Sequence, residues 1–186
     1  MVVALQANYL EVELEAPPQG VPSRLLCTRR TRLNHRGAAV HVGDRVRVEA
    51  IDQDHARAVV AAVEPRSSFL TRPPVANATC VLVAVAVEQP AFDPDQVSRF
   101  LLTAEQTGLQ VLLVLTKCDL LEPEELDQLK RRLQGWGYEP LLVSTQSGMG
   151  LEALRVQLAS ATISVLCGPS GAVSYTHLTL PTRAQV

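Results

Sequence analysis

The chain has 186 residues, of which 47% are hydrophobic and 19% charged, with a formal net charge of −2. That is ordinary globular composition, long enough for one or two domains, and it excludes polyanion binding by bulk charge. The four cysteines form no C-x-x-C or Cys/His cluster, so no metal site is expected within this chain. The longest strongly apolar run, "CVLVAVAV", is too short to cross a bilayer, and no basic segment precedes an apolar core at the N-terminus. A soluble, cytosolic, monomeric protein away from membranes is expected.

Residues 1–66 read as β. "NYLEVELE" alternates Leu10, Val12 and Leu14. "AAVHVGDRVRVEAI" alternates Val40 and Val42, then Val46 and Val48, around a Gly43-Asp44 turn. "ARAVVAAVEP" is a further apolar run, stopped by Pro65. Short alternating strands separated by turn signals predict a small barrel or sandwich. The basic segment "RLLCTRRTRLNHRG" is expected between strands. From Arg24 to Arg47 seven arginines (Arg24, Arg29, Arg30, Arg32, Arg36, Arg45 and Arg47) accompany one acid, Asp44. Such a patch either meets phosphate or is a solvated face. Residues 67–78, "SSFLTRPPVANA", are expected to be a linker, because Pro73-Pro74 continues neither ladder nor helix.

The pattern then changes. "TCVLVAVAV" is apolar throughout, as a strand buried on both faces should be. "DPDQVSRFLLTAEQTG" predicts a helix, with Asp93 as N-cap, Pro94 at the first position, Val97, Phe100, Leu101 and Ala104 at helical spacing, and Gly108 as stop. "LQVLLVLT" is a second strand. "EPEELDQLKRRLQGWG" is a second helix, with Leu126, Leu129 and Leu133 on one face. "EPLLVS", "GLEALRVQLA" and "TISVLC" add a strand, a shorter helix and a fourth strand. This alternation predicts a parallel α/β sheet with its ligands at the strands' carboxyl ends.

Three short motifs fall at successive carboxyl ends. "TKCD" (Thr116, Lys117, Cys118, Asp119) follows the second strand. A carboxylate there can accept from the ring N–H and the exocyclic amino group of guanine, at roughly 1.5–3 kcal/mol per charge-assisted bond. Adenine offers an acceptor at the first position and no amino group at the second. The Lys117 stem can lie along the base. Ser144 and Thr145, in "VSTQSG", follow the third strand, where backbone N–H groups could meet the guanine carbonyl. "GPSG" (Gly168, Pro169, Ser170, Gly171) follows the fourth and can turn backbone N–H groups onto phosphate oxygens. Each motif alone has a bland reading: a helix cap, a turn, a Gly-Pro bend. A nucleophile elbow at Ser170 would need glycine at Ala172 and is rejected. Together the motifs line one edge of one sheet, which chance does not predict.

Their order, base loop first and phosphate loop last, resembles the circularly permuted GTPases. The N-terminal β region, the junction "EPRSSFLTRPPVANAT", "VLVLTKCDLL" and "VLCGPSG" resemble the ribosome small-subunit-dependent GTPase A family, from the first strands to Gly171. The resemblance implies an α/β fold class with a small all-β domain: an OB-fold-like RNA-binding barrel over 1–66, a linker over 67–78, and a partial permuted P-loop GTPase domain over 79–171. It implies GTP as ligand, with Thr116, Lys117, Cys118, Asp119, Ser144, Thr145 and Gly168 to Gly171 in the site. It implies a role in late maturation of the small ribosomal subunit, contacts to its rRNA, Mg²⁺, and a structural Zn²⁺ in a further domain. Gln146 departs from the pattern, which commonly has lysine there.

After Gly171 the likeness stops. In G-x-x-x-x-G-K-[ST] the last three positions here hold Val173, Ser174 and Tyr175. No catalytic residue is expected in this chain, and hydrolysis is expected to be lost. The tail 172–186 resembles translated adapter or vector sequence, so a truncated reading frame is expected. The alternative is a pseudo-GTPase or a purely RNA-binding module.

Overall fold

The computed structural model describes residues 1–6, 8–29 and 39–172. The chain divides into two compact units, the first over Met1–Ala78 and the second beginning at Thr79.

The first unit is all β. Strands β1 (Val2–Leu5), β2 (Leu10–Glu13), β3 (Arg24–Arg29), β4 (Val46–Asp52) and β5 (Arg57–Val63) form one sheet in the order β1-β2-β3-β5-β4. All neighbours are antiparallel except β3 and β5, which run parallel. Val2, Leu10, Val12, Leu25, Cys27, Val40, Ala58 and Val60 are buried together as its core. Alternation explains this directly, since every second residue of a strand faces the same side.

Two expectations are corrected here. The basic segment was expected between strands, but its first part is β3, in the middle of the sheet. Leu25 and Cys27 are buried while Arg24, Thr28 and Arg29 are exposed, so the arginines at both ends mask the two inward residues. The segment 67–78, expected as a linker, carries a hairpin of β6 (Phe69–Thr71) and β7 (Pro74–Ala76) and belongs to the first unit. Pro74 is tolerated because it opens its strand, one of the few ladder positions proline can take. Val42, expected to begin a strand with Val40, makes only an isolated bridge to Val75.

The second unit is α/β. Strands β8 (Cys80–Ala86), β9 (Gln110–Thr116), β10 (Leu141–Leu142) and β11 (Ser164–Cys167) form a wholly parallel sheet in the order β10-β9-β8-β11. Every residue of β8 is buried, so the continuous apolar run reads correctly as an interior strand. Helices α1 (Pro94–Glu105), α2 (Pro123–Gly135) and α3 (Leu151–Ser160) connect the strands. Asp93 caps α1, its carboxylate accepting from the N–H groups of Asp95 and Gln96 at 2.9 and 3.2 Å. Val97, Leu101 and Ala104 of α1 and Leu126 and Leu133 of α2 pack with Val81, Val83 and Val85 of β8 and Leu113 and Leu115 of β9. Full burial of each such side chain contributes roughly 1.5–3 kcal/mol, which fixes the strand ends that carry the motifs. Among the described residues no helix is long and apolar enough to cross a membrane.

Candidate functional site

Four loops leave the carboxyl end of the parallel sheet, one after each strand. A hydrogen-bonded network ties them together.

The loop after β9 begins at Thr116. Its hydroxyl donates to the Ala172 carbonyl at 2.6 Å, with the Val85 carbonyl at 3.4 Å. Lys117 takes a left-handed conformation, φ 59° and ψ 34°, which costs a non-glycine residue about 1–3 kcal/mol and recurs at functional sites. Its ammonium donates to the Gln89 carbonyl, in the loop after β8. Cys118 turns into the core at 2% exposure, and its thiol donates to the Leu115 carbonyl at 3.2 Å. Burial, foremost, pushes that thiol's pKa up. The expected site thus includes one side chain that serves packing, although the Cys118 backbone N–H links two loops by donating to the Val143 carbonyl at 3.2 Å.

Asp119 is exposed, and one of its oxygens accepts from the Ser144 hydroxyl at 2.5 Å. Ser144 is fully buried. Its Oγ also accepts from the backbone N–H groups of Gln146 and Ser147 at 3.2 and 3.1 Å. Ser144 therefore shapes its own loop and fixes the Asp119 carboxylate at once. The second Asp119 oxygen accepts nothing among the described residues and is available to a ligand. Thr145 and Gln146 are exposed on the turn that Ser144 holds.

The loop after β11 approaches β8 closely. A Cβ at Gly168 would stand 2.0 Å from the Ala84 carbonyl oxygen. That oxygen belongs to an interior strand and has no room to yield. Gly171 has φ 83°, and a Cβ there would meet the Pro90 ring at 3.2 Å. Between these glycines the Ala172 N–H donates to the Pro169 carbonyl at 3.1 Å, closing a turn. The N–H groups of Ser170 and Gly171 donate to nothing among the described residues. This tight turn with free N–H groups is the kind of cradle that receives an anion. Gly168→Ala is expected to destabilise the second unit by at least the ~1–3 kcal/mol of an overpacked core. Thermal unfolding would report it, and an unchanged midpoint would contradict it.

Sequence reasoning missed the loop after β8. Gln89 and Pro90 touch the lysine of one motif and the glycine of another. They carry no motif, and the available signal was only that β8 ends at the same sheet edge. The structure brings together Thr116, Lys117, Asp119, Ser144, Gly168 and Gly171 through these contacts. Of the arginine set, Arg24 pairs with Glu11 at 3.3 Å and Glu13 at 3.7 Å on the β sheet. Arg29, Arg45 and Arg47 are exposed in the first unit. Arg30, Arg32 and Arg36 lie outside the described residues, as do Val173, Ser174 and Tyr175 and the rest of the expected tail.

The donor set does not suit a metal. Among the described residues no three His, Cys, Asp or Glu side chains gather. The lysine and hydroxyl positions of the phosphate loop hold Ser174 and Tyr175.

An exposed carboxylate on one loop and a glycine turn two strands later in the chain share one edge of a parallel α/β sheet, the arrangement expected of a P-loop-class domain of permuted order. Comparison with known proteins agrees. The RsgA GTPase family profile matches residues 63–174, and the chain belongs to that family. It is 75% identical over 171 residues to the small ribosomal subunit biogenesis GTPase RsgA of Synechococcus sp. (strain CC9311), covering 92% of this chain and 56% of that protein. The chain thus spans little more than half the length of such relatives. The crystal structure of YjeQ from Thermotoga maritima superposes with a TM-score of 0.79 at 31% identity, covering 92% of this chain and 60% of that one. YloQ, a circularly permuted GTPase, superposes with a TM-score of 0.72 at 23% identity over 91% of this chain and 59% of that one, a likeness of fold.

Proposed function

We propose that the protein binds GTP and takes part in GTP hydrolysis during late maturation of the small ribosomal subunit, acting in the cytoplasm as a monomer. The observation that carries this reading is the Ser144–Asp119 bond at 2.5 Å, by which a hydroxyl on one loop aims the carboxylate of another.

In this reading Asp119 accepts from the two guanine donors. Lys117 lines the base, and Thr116 and Ser144 hold the loops in register. The Ser144, Gln146 and Ser147 N–H groups already donate within the loop, so the Thr145 N–H is the one left to face the base carbonyl. Gly168, Pro169, Ser170 and Gly171 begin the phosphate cradle. Phosphoryl transfer is catalysed mainly by positioning and charge neutralisation. With Ser174 and Tyr175 where a lysine and a small hydroxyl belong, the chain as given hydrolyses GTP poorly. Mg²⁺, and Zn²⁺ in a further domain, belong to the full-length family member.

The first unit is proposed as an OB-fold-type domain that contacts rRNA. Its strand order β1-β2-β3-β5-β4, with β3 and β5 parallel, supports this. So do the bonds from the Val2 N–H to the Asp44 carbonyl (2.9 Å) and from the Gly43 N–H to the Val2 carbonyl (2.8 Å), which draw the first strand toward the entry to β4. Such folds bind nucleic acid on one face, and the arginines proposed to meet RNA are Arg24, Arg29, Arg45 and Arg47, with Arg30, Arg32 and Arg36, outside the described residues, assigned from sequence alone.

The test restores the loop with Val173→Gly, Ser174→Lys and Tyr175→Ser and titrates GTP against ATP by calorimetry. GTP is expected to bind and ATP to bind far more weakly. Equal binding of the two would refute the assignment.

A further inference from the structure

Four residues of the first unit form an array that the proposed arginine face does not include. The Asp44 carboxylate is fully buried. It accepts from Arg66 Nε at 2.7 Å, from Arg66 Nη2 at 2.9 Å and from the His41 backbone N–H at 2.8 Å. Arg66 Nη2 also donates to the Ala39 carbonyl at 2.7 Å. The guanidinium is thereby fixed, and its flat face lies over the Phe69 ring, 4.6 Å from the centroid. The His41 ring meets the same phenyl ring at 4.9 Å between centroids, tilted by 50°.

The hairpin bearing Phe69 is itself locked. The Ser67 N–H and hydroxyl both donate to Asn77 Oδ1, at 2.8 and 3.1 Å, and Asn77 Nδ2 donates to the Gly43 carbonyl at 3.0 Å. Three planar groups are thus held in contact from two directions. Yet Phe69 stays 40% exposed and takes no part in the core of its unit. The ring is pre-ordered and left wet.

The surrounding charge selects a partner. Asp44 is neutralised by Arg66, and from Pro65 to Ala78 the chain has two arginines and no acid. The second, Arg72, is exposed at the hairpin turn. An exposed phenyl ring against a fixed guanidinium, beside Arg72, a cation unpaired among the described residues, suits a strand that offers both a flat base and a phosphate. Duplex RNA keeps its bases stacked internally, so the usable form is single-stranded.

We propose that the His41–Phe69–Arg66 array stacks an unpaired nucleobase of single-stranded RNA, with Arg72 on a neighbouring phosphate. This rests on the RNA-contacting role of the first unit and adds a second, base-stacking surface to it. Asp44 and Asn77 are positioning residues that keep the array assembled.

The experiment measures fluorescence anisotropy of a labelled oligoadenylate single strand, and of an RNA duplex at the same salt, with the whole chain. Phe69→Leu keeps an apolar side chain but removes the π face. It is expected to weaken oligoadenylate binding roughly 5- to 100-fold, the range that base–aromatic stacking spans, while duplex binding and the thermal midpoint hold. Phe69→Tyr is expected to restore binding. If Phe69→Leu binds oligoadenylate like the parent chain, or loses duplex binding equally, the array is not a stacking site. Salt-dependent oligoadenylate binding that ignores Phe69 would overturn this inference alone, whereas a chain that binds neither probe would overturn the RNA role as well. Should Phe69→Leu fail to fold, photocrosslinking of oligouridylate to the unaltered chain reads the same contact. Adducts are expected on His41 or Phe69, and adducts only elsewhere refute the proposal.

Discussion

Asp119→Ala, made in the chain with its phosphate loop restored, is expected to abolish the preference for guanine nucleotides. In the proposed site the carboxylate accepts two hydrogen bonds from the base. At roughly 1.5–3 kcal/mol for each bond to a charged acceptor, the loss is about 3–6 kcal/mol, or two to four orders of magnitude in GTP affinity. Affinity for ATP should scarcely move, because adenine never used the carboxylate. The GTP:ATP ratio is therefore the informative readout, and fluorescent-nucleotide titration measures it. The variant also removes the acceptor of the Ser144 hydroxyl, which still accepts from Gln146 and Ser147. The loop should keep its shape, because the Ser144 hydroxyl still holds its own turn. A GTP:ATP ratio unchanged in Asp119→Ala would mean that the base is read elsewhere.

The second unit was legible because its signals are local. A seven-residue apolar run makes β8, and a capped helical period makes α1. Both patterns survive without knowledge of what packs against them. The first unit was harder. In β3 only Leu25 and Cys27 reveal the inward face, and arginines stand around them. In the hairpin 69–76 two prolines look like a break, although Pro74 sits where a strand tolerates it. The candidate site was legible as a set of loops but not as a network. Ser144 and Asp119 lie 25 residues apart, and Thr116 and Ala172 lie 56 apart. No periodicity encodes such pairs. Gln89 and Pro90 matter only through tertiary proximity, and a sequence holds no local mark of that.

Asp44→Ala is expected to have the largest effect on the stability of the first unit. Asp44 is the one charged side chain buried to zero exposure among the described residues. Removing one partner of a buried ion pair costs about 3–5 kcal/mol, because the other is left uncompensated. Here the Arg66 side chain is 27% exposed, so its guanidinium can recover some hydration, and the lower part of that range is expected. The His41 N–H loses its acceptor as well, and the Gly43-Asp44 turn it closes should loosen with it. Asp44→Asn keeps the volume but sets an amide N–H₂ group against a guanidinium that only donates, so it should recover little. Urea unfolding of the whole chain, followed by a probe in the first unit, measures the cost. A double-mutant cycle with Arg66→Met identifies its origin. If the pair is the cause, the double variant loses far less than the sum of the two single losses. Strict additivity would assign the loss to the turn and leave Arg66 held by Ala39 and Phe69 alone.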